Sequence, residues 1–235
     1  MYEMKSRVRY SEIDENEKLS LFGMINYFQD CCTQQSEDLG FGVRYLKERH
    51  LAWYIISWQV ELYEMPVMGQ EIRVTTELNM EGFYGARNFD ILDTEGKVLV
   101  HAHSIWFFMN TESGTPTRIP DEMEVYGYNT ELHSRRDRRK IALPKEMEKG
   151  EPILVNRSLL DTNHHMNNGQ YVRIAEQLLP EGAAIRAFRV EYKKEALLGE
   201  HLYPEYLQNG DLFTVALADE EGKAYASVEF ELKEG

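Results

Sequence analysis

Apolar side chains recur every three or four residues through LFGMINYFQDCCTQQSEDLG. Leu21, Met24, Ile25, Phe28, Cys31 or Cys32, and Leu39 fall near one face, which predicts an amphipathic helix that Gly40 ends. The same period returns in GQYVRIAEQLLPEG, where Tyr171, Ile174, Ala175 and Leu178 share a face up to Pro180. Ser20 and Asn167 precede the two runs; both residue types cap helix N-termini well, so each helix is expected to begin there. Downstream the pattern becomes that of strands. SWQVELYE, EIRVTTELNM, GARNFDILD and VLVHAHSIWFFMN follow the first helix, and AFRVEYKKE, DLFTVALAD and AYASVEFEL follow the second, joined by turns carrying Gly or Asn-Gly. Neither a helix nor an antiparallel sheet can bury its apolar face alone. The expected architecture is therefore α+β, a sheet wrapped around a helix, built twice.

The two copies are visible as a repeat. SEIDENEKLSLFGMI (Ser11 to Ile25) aligns without a gap on SLLDTNHHMNNGQYV (Ser158 to Val172), placing Asp14 on Asp161 and Asn16 on Asn163. VELYEMPVMG (Val60 to Gly69) aligns on VEYKKEALLG (Val190 to Gly199), and DTEGK (Asp93 to Lys97) on DEEGK (Asp219 to Lys223). Three matches in the same order point to duplication. We expect one domain over residues 1–128, a linker over 129–149 and a second domain over 150–235.

Composition narrows the function. The longest strongly apolar run, LAWYIISW, is far short of the roughly 20 residues a membrane helix needs, and the amino terminus shows no signal-peptide core. The expectation is a soluble cytoplasmic protein without membrane insertion. Cys31 and Cys32 are adjacent in a helical run and read as small hydrophobes; no metal-ligand spacing occurs, and neither metal nor cofactor is expected. A net charge of −14 argues against a nucleic-acid partner. That charge is uneven: residues 1–128 carry 11 Lys/Arg against 21 Asp/Glu (net −10), residues 129–149 carry 7 against 4 (+3), and residues 150–235 carry 8 against 15 (−7). SRRDRRK, with Arg135, Arg136, Arg138, Arg139 and Lys140, is thus a basic island between acidic halves. It reads either as a solvated linker or as a docking patch for an acidic partner.

The chemistry concentrates in DTNHHMNN, where Asp161, three Asn and two His fall within eight residues just before a helix. If this segment is extended, Asp161, Asn163 and His165 point to one side, with His164 turned away. The helix tip behind them offers unpaired amides and a positive dipole end, suited to a developing oxyanion. The repeat acts as an internal control: Asp14 and Asn16 are kept in the first half, but Lys18 stands for His165 and Met65 for Glu195. Residues found in one half only are the better candidates for reactivity, so His165 and Glu195 lead. For Asp161 and Asn167, turn formation and capping compete with catalysis. Glu195 also reads as an ordinary carboxylate paired with Lys193 or Lys194.

The Asp-x-Asn-x-His-x-Asn-Asn spacing with a Glu on a later strand, together with MINYFQDCC, SIWFFMN followed by RIP, and VEYKKE, resembles the acyl-acyl-carrier-protein thioesterases of plant plastids and bacteria. The resemblance covers nearly the whole chain. It implies a tandem hot-dog fold, hydrolysis of a fatty acyl thioester on acyl carrier protein, and catalytic roles for Asp161, Asn163, His165 and Glu195. Glu195 and His165 would activate and orient water, Asn163 would position water or thioester, and Asp161 would hold His165 or Asn163 in place. Trp53, Trp58 and Trp106 read most simply as core; the resemblance implies that part of that core lines the acyl-chain tunnel, that Asn167 and Asn168 contribute to the substrate site, and that the half lacking His and Glu measures the acyl chain. Where plant members often have Cys after that Glu, this chain has Ala196, which speaks against a covalent cysteine mechanism. Coenzyme A thioesterase, hot-dog 3-hydroxyacyl dehydratase and non-catalytic acyl-binding module are the alternatives. Monomer (a pseudo-dimer of halves) and homodimer both fit, and the cytosol of a bacterium is the expected location.

Overall fold

The protein is described here by a computed structural model over residues 1–127 and 140–233. It divides into two compact units, one comprising Met1–Ile56 with Leu62–Arg135, the other Ser57–Glu61 with Arg136–Gly235.

The first unit opens with strand β1 (Tyr2–Arg7), followed by helix α1 (Leu21–Asp38) and the short helix α2 (Val43–Glu48). Then come β2 (Leu51–Leu62), β3 (Glu71–Glu81), β4 (Tyr84–Leu92), β5 (Val98–Asn110) and the two-residue β6 (Thr115–Pro116). The strands pair antiparallel in the order β1-β3-β4-β5, with β2 beyond β5 and β6 on the end of β5. Ser20 caps α1 by accepting from the Gly23 amide. Leu21, Met24, Ile25 and Phe28 turn inward, each fully buried side chain contributing about 1.5–3 kcal/mol. Phe28 meets Phe89 of β4 at 5.1 Å between ring centroids, and the Cys31 thiol reaches the Val74 carbonyl of β3, so α1 lies on the sheet as its periodicity requires. Cys31 is a buried small hydrophobe.

The second unit contains β7 (Glu148–Lys149), β8 (Ile153–Leu154), helix α3 (Asn168–Glu176), β9 (Ile185–Tyr192), β10 (His201–Asn209), β11 (Leu212–Ala218) and β12 (Ala224–Leu232). Ser57–Glu61 of β2 pairs with β9, and the order continues β9-β12-β11-β10, with β7 and β8 on β10. Tyr171, Val172, Ile174 and Ala175 are the buried apolar residues of α3.

The duplication is written in the hydrogen bonds. Asp14 N–H donates to the Lys18 carbonyl and Asp161 N–H to the His165 carbonyl, both at 2.8 Å. Leu19 N–H donates to Pro66, and Met166 N–H to Ala196. Gly69 N–H donates to Val8, and Gly199 N–H to Val155, both at 2.9 Å. Gly69 and Gly199 hold φ of 80° and 87°, a region glycine enters without steric cost. Asp93 and Asp219 close their turns with the same two amides, two and four residues on.

Candidate active site

The segment ahead of α3 is not extended. Asp161 N–H bonds the His165 carbonyl, His164 N–H bonds the Asp161 carbonyl at 3.1 Å, and Asp161 Oδ1 accepts the Asn163 amide at 2.8 Å. His164 sits at φ 64°, closing a tight turn. Asp161, Asn163 and His165 are therefore not brought to one side by strand alternation, because an Asp carboxylate can draw the next amides into a local turn. Asp14 does the same in the first unit, accepting the amides of Asn16 and Lys18, with Glu17 at φ 60°. Asn163 and His164 are exposed.

The turn delivers His165 to a second segment. Residues 193–200 connect β9 to β10, and a bridge pairs His165 with Leu197 while Met166 N–H bonds the Ala196 carbonyl at 2.9 Å. Glu195 thus sits in a connection rather than on a strand: β9 ends at Tyr192, and the Lys193 and Lys194 amides both donate to the Tyr225 carbonyl. His165 Nδ1 lies 3.9 Å from Glu195 Oε1, with side chains 26% and 46% exposed. At that separation there is no direct hydrogen bond, but one water molecule can bond both groups. The two lysines next to Glu195 are engaged elsewhere, Lys194 with Asp219 at 2.5 Å and Lys193 with Glu191 at 3.8 Å. Hydrogen bonds from Lys194 and from the Lys223 amide hold the Asp219 carboxyl below its ordinary range. Pairing of Glu195 with a neighbouring lysine is therefore not what the structure shows.

Behind the pair is the start of α3. Asn167 is its N-cap: its Oδ1 accepts the Gly169 amide at 2.8 Å and its carbonyl the Gln170 amide at 3.0 Å. Two amides of the first turn, those of Gly169 and Gln170, are thus occupied. The Asn168 carbonyl accepts from the Tyr192 hydroxyl at 2.8 Å. Tyr171, on the next turn of α3, accepts the Ala196 amide at 2.9 Å and packs edge-on against Tyr192, ring centroids 5.7 Å apart. Burial pushes the Tyr171 phenol well above its ordinary pKa, with the Glu195 charge adding to the effect, so it stays neutral. In the sequence Tyr171 stands only as one residue of an apolar helix face. The signal was in the aligned halves, where Met24 takes its place.

Trp58 belongs to the second unit and is fully buried. Trp53 and Trp106 belong to the first: Trp53 packs on Phe108 at 4.7 Å with its ring over Gly85, where a Cβ would come within 3.0 Å, and Trp106 donates to Ser104 Oγ at 2.7 Å. Trp53 joins a cluster with Phe108, Ile119, Met123 and Tyr126. Arg135, Arg136, Arg138 and Arg139 lie outside the described residues; Lys140 is exposed. No helix among the described residues is long and apolar enough to cross a membrane.

A helix laid on an antiparallel sheet, repeated with a polar pair kept at one helix tip, defines the class: a tandem hot-dog protein. Residues 1–126 match the acyl-ACP thioesterase N-terminal domain, and the chain belongs to that family. Its sequence is 26% identical over 206 residues to a chloroplastic acyl-[acyl-carrier-protein] hydrolase of Cuphea viscosissima, covering 80% of this chain and 50% of the relative. It is 22% identical over 229 residues to a chloroplastic oleoyl-acyl carrier protein thioesterase of Arabidopsis thaliana, covering 83% of this chain and 60% of the relative. The chain spans about half the length of the curated relatives it matches. Its fold superposes on an acyl-ACP thioesterase from Bacteroides thetaiotaomicron with a TM-score of 0.87 at 21% identity, over 98% of this chain and 97% of that one.

Proposed function

We propose that this protein hydrolyses a fatty acyl thioester carried on acyl carrier protein, releasing the free fatty acid and the carrier thiol. The observation that carries the reading is the His165–Glu195 pair, 3.9 Å apart beside the first turn of α3 and matched by Lys18 and Met65 in the first unit. In this mechanism a water sits between imidazole and carboxylate, which together remove its proton as it attacks the thioester carbonyl. The Asn168 amide at the helix tip faces the charge developing on oxygen. Asn163 positions water or thioester from the turn that the Asp161 carboxylate organises. Collapse of the tetrahedral intermediate breaks the C–S bond, and the proton taken from water passes to the leaving thiolate. The first unit, with its aromatic interior around Trp53 and Trp106, receives the acyl chain.

The carrier is itself strongly acidic, and a chain of net charge −14 needs local positive surface to attract it. We assign that surface to Arg135, Arg136, Arg138, Arg139 and Lys140. Replacing the four arginines with Ala is expected to raise KM for carrier-linked substrate several-fold more than for a small thioester; equal changes would remove the island from docking.

The reading is tested by following thiol release from acyl-carrier, acyl-coenzyme A and 3-hydroxyacyl-carrier substrates of graded length. Faster release from the carrier thioester is expected. Preference for coenzyme A esters would reassign the substrate, and water loss from the hydroxyacyl substrate without thiol release would reassign the reaction.

A further inference from the structure

The contact between Tyr171 and the Ala196 amide has no equivalent in the first unit, although the backbone around it does. Leu19 N–H bonds the Pro66 carbonyl as Met166 N–H bonds that of Ala196, Lys18 bridges Val67 as His165 bridges Leu197, and Ser20 caps α1 as Asn167 caps α3. In this conserved frame Tyr171 corresponds to Met24, which has no hydroxyl, and Ala196 to Pro66, which has no amide hydrogen. Tyr192, whose ring packs on Tyr171 and whose hydroxyl bonds the first residue of α3, corresponds to Leu62. The frame closes without these bonds. Donor and acceptor are together in the unit that has His165 and Glu195, and both are missing from the unit that has Lys18 and Met65.

Resting on the hydrolase reading, we infer that Tyr171 is a positioning residue that fixes Glu195 against the tip of α3. The peptide it holds joins Glu195 to Ala196, so the hydroxyl acts one bond from the carboxylate's own backbone. Tyr171 is 2% exposed, and the Tyr192 ring packs edge-on against it. The carboxylate itself is 46% exposed, on the connection between β9 and β10. A general base must be held within about 0.5 Å of its productive place for full effect, and misplacement by about 1 Å costs on the order of 10²-fold in rate.

Two substitutions remove the same bond from opposite ends: Tyr171→Phe deletes the hydroxyl and keeps the ring, and Ala196→Pro deletes the amide hydrogen in a turn whose counterpart is already proline. Each is expected to lower kcat about tenfold or more with KM within about twofold, and the double variant should be no slower than the slower single one. Thermal unfolding midpoints measured alongside should stay close to the parent's. Unchanged kcat in Tyr171→Phe, or losses that multiply in the double variant, would overturn the inference while hydrolysis abolished by His165→Ala still upheld the hydrolase reading. A parent protein with no His165-dependent hydrolysis would overturn both.

Discussion

The backbone that carries His165 does not depend on it: Lys18 occupies the same place in the same turn, with the same bridge to the facing segment. Replacing a partly exposed residue in such a setting changes stability by about 0.5 kcal/mol or less, so His165→Ala should unfold within a few degrees of the parent. Loss of several kcal/mol in a denaturant titration would show that the imidazole is structural. Glu12 presents the opposite case. Burial favours its protonated form, but bonds from the Arg9 side chain, the Tyr27 hydroxyl and the Arg9 amide outweigh burial and leave the carboxyl below its ordinary value. A carboxyl depressed in the folded state adds stability above its unfolded pKa of about 4.3, and that stability is lost as pH falls through the folded value. Glu12→Gln is therefore expected to destabilise the protein at pH 7 and to cost less at pH 3, as urea titrations at the two pH values would show. Equal losses at both would mean that the carboxylate charge is not what counts.

The helix N-caps allow a comparison at the scale of elements. Ser20 and Asn167 each satisfy one amide of their helix, and truncating either to Ala should cost about 1 kcal/mol, seen as a similar fall in melting temperature. Only Asn167→Ala should also lower kcat, since only α3 has the proposed His165–Glu195 pair beside its tip; equal activity in the two variants would detach the helix tip from the chemistry. Both caps and both helices were legible in the sequence, because a Ser or Asn before a three-to-four spacing of apolar residues has few other uses. Strand β10 was not. Pro204 and the polar residues of HLYPEYLQN weaken the pattern, yet the strand pairs through with β11 and uses the Pro204 carbonyl to accept the Gly150 amide. Strand β1, whose side chains alternate between partial burial and exposure, and the six-residue helix α2 left equally faint signals. That His165 and Glu195 differ from their counterparts was readable from the repeat, but the shape of the turn was not, since it depends on the Asp161 carboxylate accepting the Asn163 amide and on His164 entering positive φ.

For the whole molecule, duplication supplies the logic. One chain holds two copies of a frame, and the functional reading follows from what differs between them rather than from what they share. Strand β2 contributes to both units: its Ser57–Glu61 stretch, with Trp58, belongs to the second. Lys18→Ala and Met65→Ala, at the positions matching His165 and Glu195, should leave thioester hydrolysis within about twofold of the parent. A large loss would mean that the first unit still takes part in the reaction. The central claim, that His165 and Glu195 work on one water as a unit, is tested most directly by steady-state hydrolysis of an acyl-carrier thioester by His165→Ala, Glu195→Gln and the double variant. Each single change should lower kcat by about 10²–10⁴-fold, with the double variant no worse than the slower single one. Near-parent rates in either single variant, or losses that multiply in the double, would contradict it.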